Sequence, residues 1–296
     1  MTSQPEIGVS RFRSDEAGRV TADALQVWHR EGLLVIEDFA SLDQCRQLIL
    51  EADALVEDFD EEEVAAIFST TSQQHAASEY FETSGDKIRC FFEADAFDKK
   101  GKLVVPKSRS INKIGHALHD LNPVFECFSY QPRLGNLVAQ LGISEPQWLQ
   151  SMLIFKQPAI GGEVTWHQDG SFLYTMPQSV VGFWFALEDA TLENGCLWVL
   201  PGQHKNGLRS RFRRINGQLQ TETLPDVPRF DESSSVPLGV KAGTLVVLHG
   251  ALPHFSASNR SSNSRYAYTL HAISGAAHYP ADNWLQREES APLRAL

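Results

Sequence analysis

Val164-Thr165-Trp166-His167-Gln168-Asp169-Gly170 is the stretch on which both fold and chemistry turn. β-Branched and aromatic residues run up to a glycine, so it reads as a strand entering a turn, and residues two apart on a strand project to the same side. An imidazole at 167 and a carboxylate at 169 can therefore meet one ion. A second histidine-x-acid pair, His29-Arg30-Glu31, falls at the end of an expected helix, where residues two apart diverge, and is read as a chance match. The third ligand must come from elsewhere. His254 lies on an expected strand 85 residues beyond Asp169, far enough for intervening strands to return the chain to the same mouth. Two histidines and one carboxylate occupy one face of an octahedral iron(II) and leave three positions for co-substrate and oxygen. Spacing alone leaves a plainer alternative open, with His167 a hydrogen-bonded histidine and His254 a residue of a surface loop.

Outward from this stretch, short runs of the same texture are expected as strands near 150–157, 164–168, 180–188, 196–200, 236–240, 244–249, 253–257 and 265–273. Asn194-Gly195, Pro201-Gly202 and Ala242-Gly243 punctuate them as turns. Strands at this density suggest a sandwich or barrel, the eight-stranded jelly roll among them. The first third reads differently. Ala22, Leu25 and Trp28 recur at helical spacing up to Gly32, and Leu33 to Ile36 reads as a buried strand. Ser41 and Gln44 have capping-box spacing ahead of Cys45, Leu48, Ile49, Ala52, Leu55 and Val56 on one helical face. The acidic run Glu57 to Glu63 is expected to be a solvated connection, and Ser69 to Ala77 a polar, mobile one. The 296 residues are expected to form a single domain, with a helical annex over about 15–145 and a β core over about 146–275.

A formal charge of −11 argues against nucleic acid or an anionic membrane as partner, because both need a basic footprint. No apolar run approaches a membrane span, and Met1 to Asp15 is polar rather than signal-like. The four cysteines show no CxxC spacing, which fits a reducing compartment. A soluble, cytoplasmic protein acting on a small molecule is the expectation. His116 and His119, at i and i+3 on an expected helix, could hold zinc but read better as a polar helix face; no HExxH supports a zinc protease. Arg265 opens the apolar strand Arg265-Tyr266-Ala267-Tyr268-Thr269-Leu270. A guanidinium turned inward there is costly unless a carboxylate meets it, and its planar fork suits one bidentately.

Several longer segments carry a family resemblance: Ser84 to Arg89, Ser110-Ile111-Asn112-Lys113-Ile114-Gly115-His116-Ala117-Leu118-His119, Gln150-Ser151-Met152, Ile154 to Pro158, Gly161 to Val164, and Leu192 to Trp198. With the residues above, they resemble the phytanoyl-CoA dioxygenase family over nearly the whole chain, and within it the phytanoyl-CoA dioxygenase domain-containing proteins. The resemblance implies a mainly β, double-stranded β-helix (a cupin-like jelly roll) with N-terminal helical support. It also implies an iron(II), 2-oxoglutarate-dependent dioxygenase, supported by ascorbate, that uses dioxygen and releases succinate and carbon dioxide. Carried over residue by residue, the metal ligands fall on His167, Asp169 and His254, and the co-substrate arginine on Arg265. Lys113, Met152 and Trp184 match further 2-oxoglutarate contacts. Position 169 is Asp, not the Ala or Gly of related halogenases, so hydroxylation is the expected outcome. The chain ends Arg294-Ala295-Leu296 and not in a peroxisomal S-K-L, which sets a peroxisomal acyl-CoA role in doubt.

Two other functions compete. A zinc or manganese hydrolase or isomerase on the same barrel has no use for a buried arginine clamp, whereas a 2-oxoglutarate sensor without turnover would keep it. Between the strands near 200 and 236, Arg209, Arg211, Arg213 and Arg214 put four positive charges into six residues of an expected loop. The plain expectation is a solvated basic loop; the sharper one is a cluster that attracts an anionic substrate to the mouth.

Overall fold

Strand β7 (Val181–Ala186) shows how the sequence builds the core, because all six of its residues are buried and its two faces serve different layers. Val181, Phe183 and Phe185 face a cluster shared with the helices, while Trp184 and Ala186 face a second cluster between two sheets. A central strand buried on both sides reads as a continuous apolar run rather than an alternating one. Phe183 is fully buried, and its truncation to alanine is expected to cost about 3–5 kcal/mol.

The computed structural model describes residues 9–60 and 79–296. Its larger sheet has eight strands in the order β1 (Arg11–Phe12), β2 (Leu33–Ile36), β12 (Leu245–His249), β7, β14 (Ala267–Ser274), β5 (Pro146–Ile154), β4 (Ile111–His116) and β3 (Ile88–Phe92). Facing it is a four-stranded sheet in the order β11 (Val236–Leu238), β8 (Leu197–Val199), β13 (His254–Ser256) and β6 (Val164–His167). The central four strands of the first and the four of the second make the double-stranded β-helix. Each expected strand of the β core is present within a few residues of its expected ends.

Helices cover the outer face of the larger sheet. Helix α1 (Ala22–Glu31) starts on Thr21, whose hydroxyl accepts from Ala24 N, and stops at Gly32, whose φ of 76° is left-handed. Helix α2 (Leu42–Asp58) carries the full capping box, with Gln44 N donating to Ser41 Oγ and Ser41 N to Gln44 Oε1. Its Cys45, Leu48, Ala52 and Val56 are buried in the cluster that also takes Phe125, Leu134 and Leu137 from α4 (Pro123–Ser129) and α5 (Pro132–Gln140), which follow the short α3 (Leu118–Leu121). The acidic run therefore begins inside α2, and its end, with the polar stretch 69–77, lies outside the described residues. The annex is more than a helical support, because β2 and β4 extend the larger sheet at both sides.

Two expectations are corrected. His116 ends β4 and His119 sits in α3; both are fully buried, with their Nδ1 atoms hydrogen-bonded to Ser84 Oγ and Ser151 Oγ, so neither forms a polar helix face nor a zinc pair. The arginine-rich segment is no loop. Ser210–Ile215 (β9) pairs with Gln218–Thr223 (β10) in a hairpin, and its charges are matched: Arg211 and Arg213 both meet Asp282, Arg213 also meets Glu222, and Arg214 meets Glu82. Asn283 and Asp282 in the C-terminal segment fasten it, and Arg209 lies over the Phe230 ring. Among the described residues, Arg211, Arg213 and Arg214 are thus ion-paired rather than free.

Candidate metal centre

The register of the smaller sheet brings the first two candidate ligands together, since His254 on β13 pairs directly with His167 on β6 and their ring centroids lie 4.2 Å apart. Asp169 follows at the start of the short helix α6 (Asp169–Phe172). One donor atom from each of His167, Asp169 and His254 lies within 4.8 Å of the others, the one such cluster among the described residues. Asp169 Oδ1 is 3.5 Å from His254 Nε2 and 3.7 Å from His167 Nε2.

The chemistry of these donors fits a divalent cation. His167 Nδ1 is 2.8 Å from Thr165 O and His254 Nδ1 is 3.0 Å from Leu252 O, each a carbonyl two residues back. A carbonyl only accepts, so both Nδ1 atoms carry the proton and both Nε2 atoms present a lone pair. Burial, followed by the neighbouring His254, pushes His167 down to about 4, so it is neutral at ordinary pH. Burial alone would raise the Asp169 carboxyl, but the imidazoles of His254, His271 and His167 hold it well below the usual carboxylate range. Gln168, between the two ligands, is buried; its amide donates to Gly207 O and Ala251 O and accepts from Arg209 N, pinning the turn.

A cavity of about 320 Å³ opens over this cluster. Its opposite wall is the inner face of the larger sheet, laid out in rows by pairing. Lys113 stands opposite Ile154 and next to it Ala267; Met152 stands opposite Thr269 and next to it Trp184; Gln150 stands opposite His271 and next to it Gly182. Lys113, Met152, Trp184 and Arg265 all line the cavity with the three candidate ligands. Arg265 is 1% exposed, its Nε and Nη1 have no hydrogen-bond partner, and its guanidinium lies 5.3 Å from the Trp184 ring. Burial lowers it to about 10, which still leaves it charged. Beside it Lys156 is also buried, donating to Gly162 O and Ser256 O. Lys113 is pushed down to about 8 by burial, its ammonium over the rings of Phe81 and Phe91. The lining also includes Phe81, Phe172, Leu173 and Trp284, with His116 packed against Phe81 and Trp284. Phe172 also touches Phe212, so the hairpin meets the mouth through a ring rather than a charge.

The phytanoyl-CoA dioxygenase family model matches residues 28–267. The chain belongs to the phytanoyl-CoA dioxygenase family. Membership makes it an enzyme of the iron(II)- and 2-oxoglutarate-dependent dioxygenase class. It is 49% identical over 281 residues to a phytanoyl-CoA dioxygenase of Arabidopsis thaliana, covering 94% of this chain and 98% of the relative. It is 44% identical to phytanoyl-CoA dioxygenase domain-containing protein 1 of Bos taurus, covering 92% and 97%. Among solved structures, EctD from S. alaskensis with 2-oxoglutarate and 5-hydroxyectoine superposes with a TM-score of 0.60 at 22% identity, covering 94% of this chain and 90% of that one. The 2-oxoglutarate-dependent epimerase SnoN gives 0.61 at 13% identity, covering 93% and 89%. Both likenesses are of fold.

Sequence reasoning missed Gln150, Gly182, Ser256 and His271, all of which line the cavity. The signals were parity and interruption. Position 271 has the parity of Arg265 on one strand, and Gly182 breaks an otherwise apolar run, where glycine marks a close approach.

Proposed function

We propose that this chain hydroxylates a small organic substrate, consuming dioxygen and 2-oxoglutarate and releasing succinate and carbon dioxide, with iron(II) held by His167, Asp169 and His254. The observation that carries the reading is the buried Arg265 guanidinium, its Nε and Nη1 without a hydrogen-bond partner, sharing one cavity with a two-histidine, one-carboxylate cluster. Glu188 acts on Arg265 only through space, so the buried guanidinium lacks a direct ion pair, and a dicarboxylate anchored at the metal would supply one. Iron with the keto acid supplies the oxidising chemistry: one oxygen atom of O2 goes to succinate and the other to a C–H bond of the substrate.

The chain's own residues then have distinct tasks. His167 and His254 would hold the ion through Nε2, and Asp169 would add the anionic donor. Arg265 grips the far carboxylate of the keto acid through its fork, with Trp184 beneath it, while Met152 and Lys113 flank the co-substrate and Lys113 adds positive charge. Phe81, Phe172, Leu173 and Trp284 supply an apolar part of the wall, which suits an apolar substrate portion. Because the cavity is near the small end of the roughly 300–1,000 Å³ typical of ligand sites, a bound keto acid leaves room for only a small molecule or the tip of a larger one.

The test is succinate and carbon dioxide release from 2-oxoglutarate with iron(II), ascorbate and oxygen against a metabolite library, with mass analysis of products. A product heavier by one oxygen, formed one-for-one with succinate, is expected. Absence of any iron-dependent decarboxylation across the library would defeat the reading.

A further inference from the structure

The three candidate ligands all come from the smaller sheet and its turn, yet one oxygen of Asp169 is enclosed by the larger sheet. Asp169 Oδ2 lies 3.3 Å from Nε2 of His271 on β14. A Cβ built on Gly182 of β7 would stand 2.8 Å from that same oxygen. Gly182 and His271 are register partners on adjacent strands, so the two contacts form one seat. The other oxygen, Oδ1, is the one turned toward His254 and His167.

We propose that His271 and Gly182 are positioning residues that hold Asp169 as a one-oxygen ligand, and that metal affinity and coordination number depend on them. An ionised carboxylate only accepts, so the facing His271 Nε2 carries the proton and donates to Oδ2. Engaged there, Oδ2 would be unavailable to an ion, and Oδ1 would be the oxygen that holds it beside His254 and His167. Gly182 leaves the space the carboxylate needs, since any side chain would meet Oδ2 before anything else; its next neighbours are His271 ring atoms at 3.6 Å. His271 is itself buried, and its Nδ1 has no partner. Packing alone would be met by an apolar side chain at lower cost, because an unpartnered buried polar atom is a penalty. The seat also makes the ligand set depend on the separation of the two sheets, as the ligands ride on one and the seat on the other.

The inference rests on the metal reading above, and the experiment separates the two. Cobalt(II), which reports coordination in its visible spectrum, is titrated anaerobically into the parent, His254→Ala, His271→Leu, His271→Gln and Gly182→Ala, with melting temperatures recorded. Glutamine places an amide N–H close to where His271 Nε2–H stands, so His271→Gln should keep affinity within a few-fold and preserve the parental spectrum. His271→Leu and Gly182→Ala should lose affinity by about 10- to 100-fold, the range for partners that orient a ligand, and their spectra should shift toward a different coordination number. Gly182→Ala displaces only a carboxylate tip, so it decides the matter even where His271→Leu folds poorly. Equal loss in Gln and Leu, or parental affinity and spectrum in Gly182→Ala, overturns the seat while leaving the metal site intact. A parent that does not bind cobalt, or binds it no better than His254→Ala, overturns the metal reading and the seat with it.

Discussion

Replacing Arg265 by methionine should make the protein more stable and useless to its co-substrate at once. At 1% exposure, with Nε and Nη1 unpartnered, the guanidinium is a standing penalty in the ligand-free fold. Each buried donor without a partner costs about 1–3 kcal/mol, so an apolar side chain of similar length should add at least that much stability. For a chain of this size that is about 1.6 °C per kcal/mol in melting temperature. The parent at a 2-oxoglutarate concentration 100 times its Kd gains about 2.7 kcal/mol on binding. Loss of charge-assisted hydrogen bonds worth about 3 kcal/mol weakens Kd on the order of 100-fold. At the same concentration the variant's gain then shrinks to about 0.4 kcal/mol. Arg265→Lys keeps the charge but not the fork, so it should show neither the added stability nor the parental response. Thermal melts with manganese(II), with and without 2-oxoglutarate, measure both quantities. A methionine variant that melts below the parent, or keeps the parental co-substrate shift, refutes the account of Arg265 as a charge held for a ligand.

His167→Ala, Asp169→Ala and His254→Ala should each abolish decarboxylation and weaken iron(II) binding by more than about 100-fold with the fold intact by circular dichroism; full turnover in His254→Ala would remove it from the ligand set. Lys113, at about 8, is charged at neutral pH and loses its proton above that. An anion bound beside it raises that value further, so 2-oxoglutarate affinity should fall as pH rises through about 8 and beyond, and Lys113→Met should be weaker but flat over the same window when Kd is measured from pH 7 to 9.5. Changing Arg211, Arg213 and Arg214 together to glutamine should lower the melting temperature and open residues 210–223 to proteolysis, because their carboxylate partners are lost. Substrate half-saturation in that variant should show no salt dependence beyond the parent's; a salt-sensitive rise would restore anion recruitment.

Local signals in this chain were legible where one strand or one cap decides the outcome. The capping box at Ser41, the glycine stop at Gly32 and the parity of His167 with Asp169 each need only a few neighbouring residues, and each stands where the sequence places it. The family segments extended that reach to the fold and to Lys113, Met152, Trp184 and Arg265 as cavity-lining positions. What failed was long-range pairing. Nothing near Arg211 announces Asp282, and nothing near His116 says that β4 joins the larger sheet rather than lying on a helix. His271 and Gly182 matter only because their strands lie side by side beneath Asp169, a fact of register that no local window contains.

Strands β8 and β11 are register partners, Val199 opposite Val236, so everything from 200 to 235 leaves the smaller sheet and returns to the point of departure. An excursion with fixed, adjacent ends can grow, shrink or be exchanged at little entropic cost, since closure entropy rises only slowly with length. Evolution could therefore revise the rim of this enzyme like a replaceable fitting while His254 and His167 stay in step on neighbouring strands. Besides the ion pairs of Arg211, Arg213 and Arg214, a tether that reaches the candidate ligands limits that freedom. Gln168 is stitched to Gly207 O and Arg209 N, so any grafted rim must present a carbonyl and an amide at those two points. A transplant that omits them would disturb the candidate ligands His167 and Asp169 through Gln168, and one that keeps them would leave that cluster as it stands.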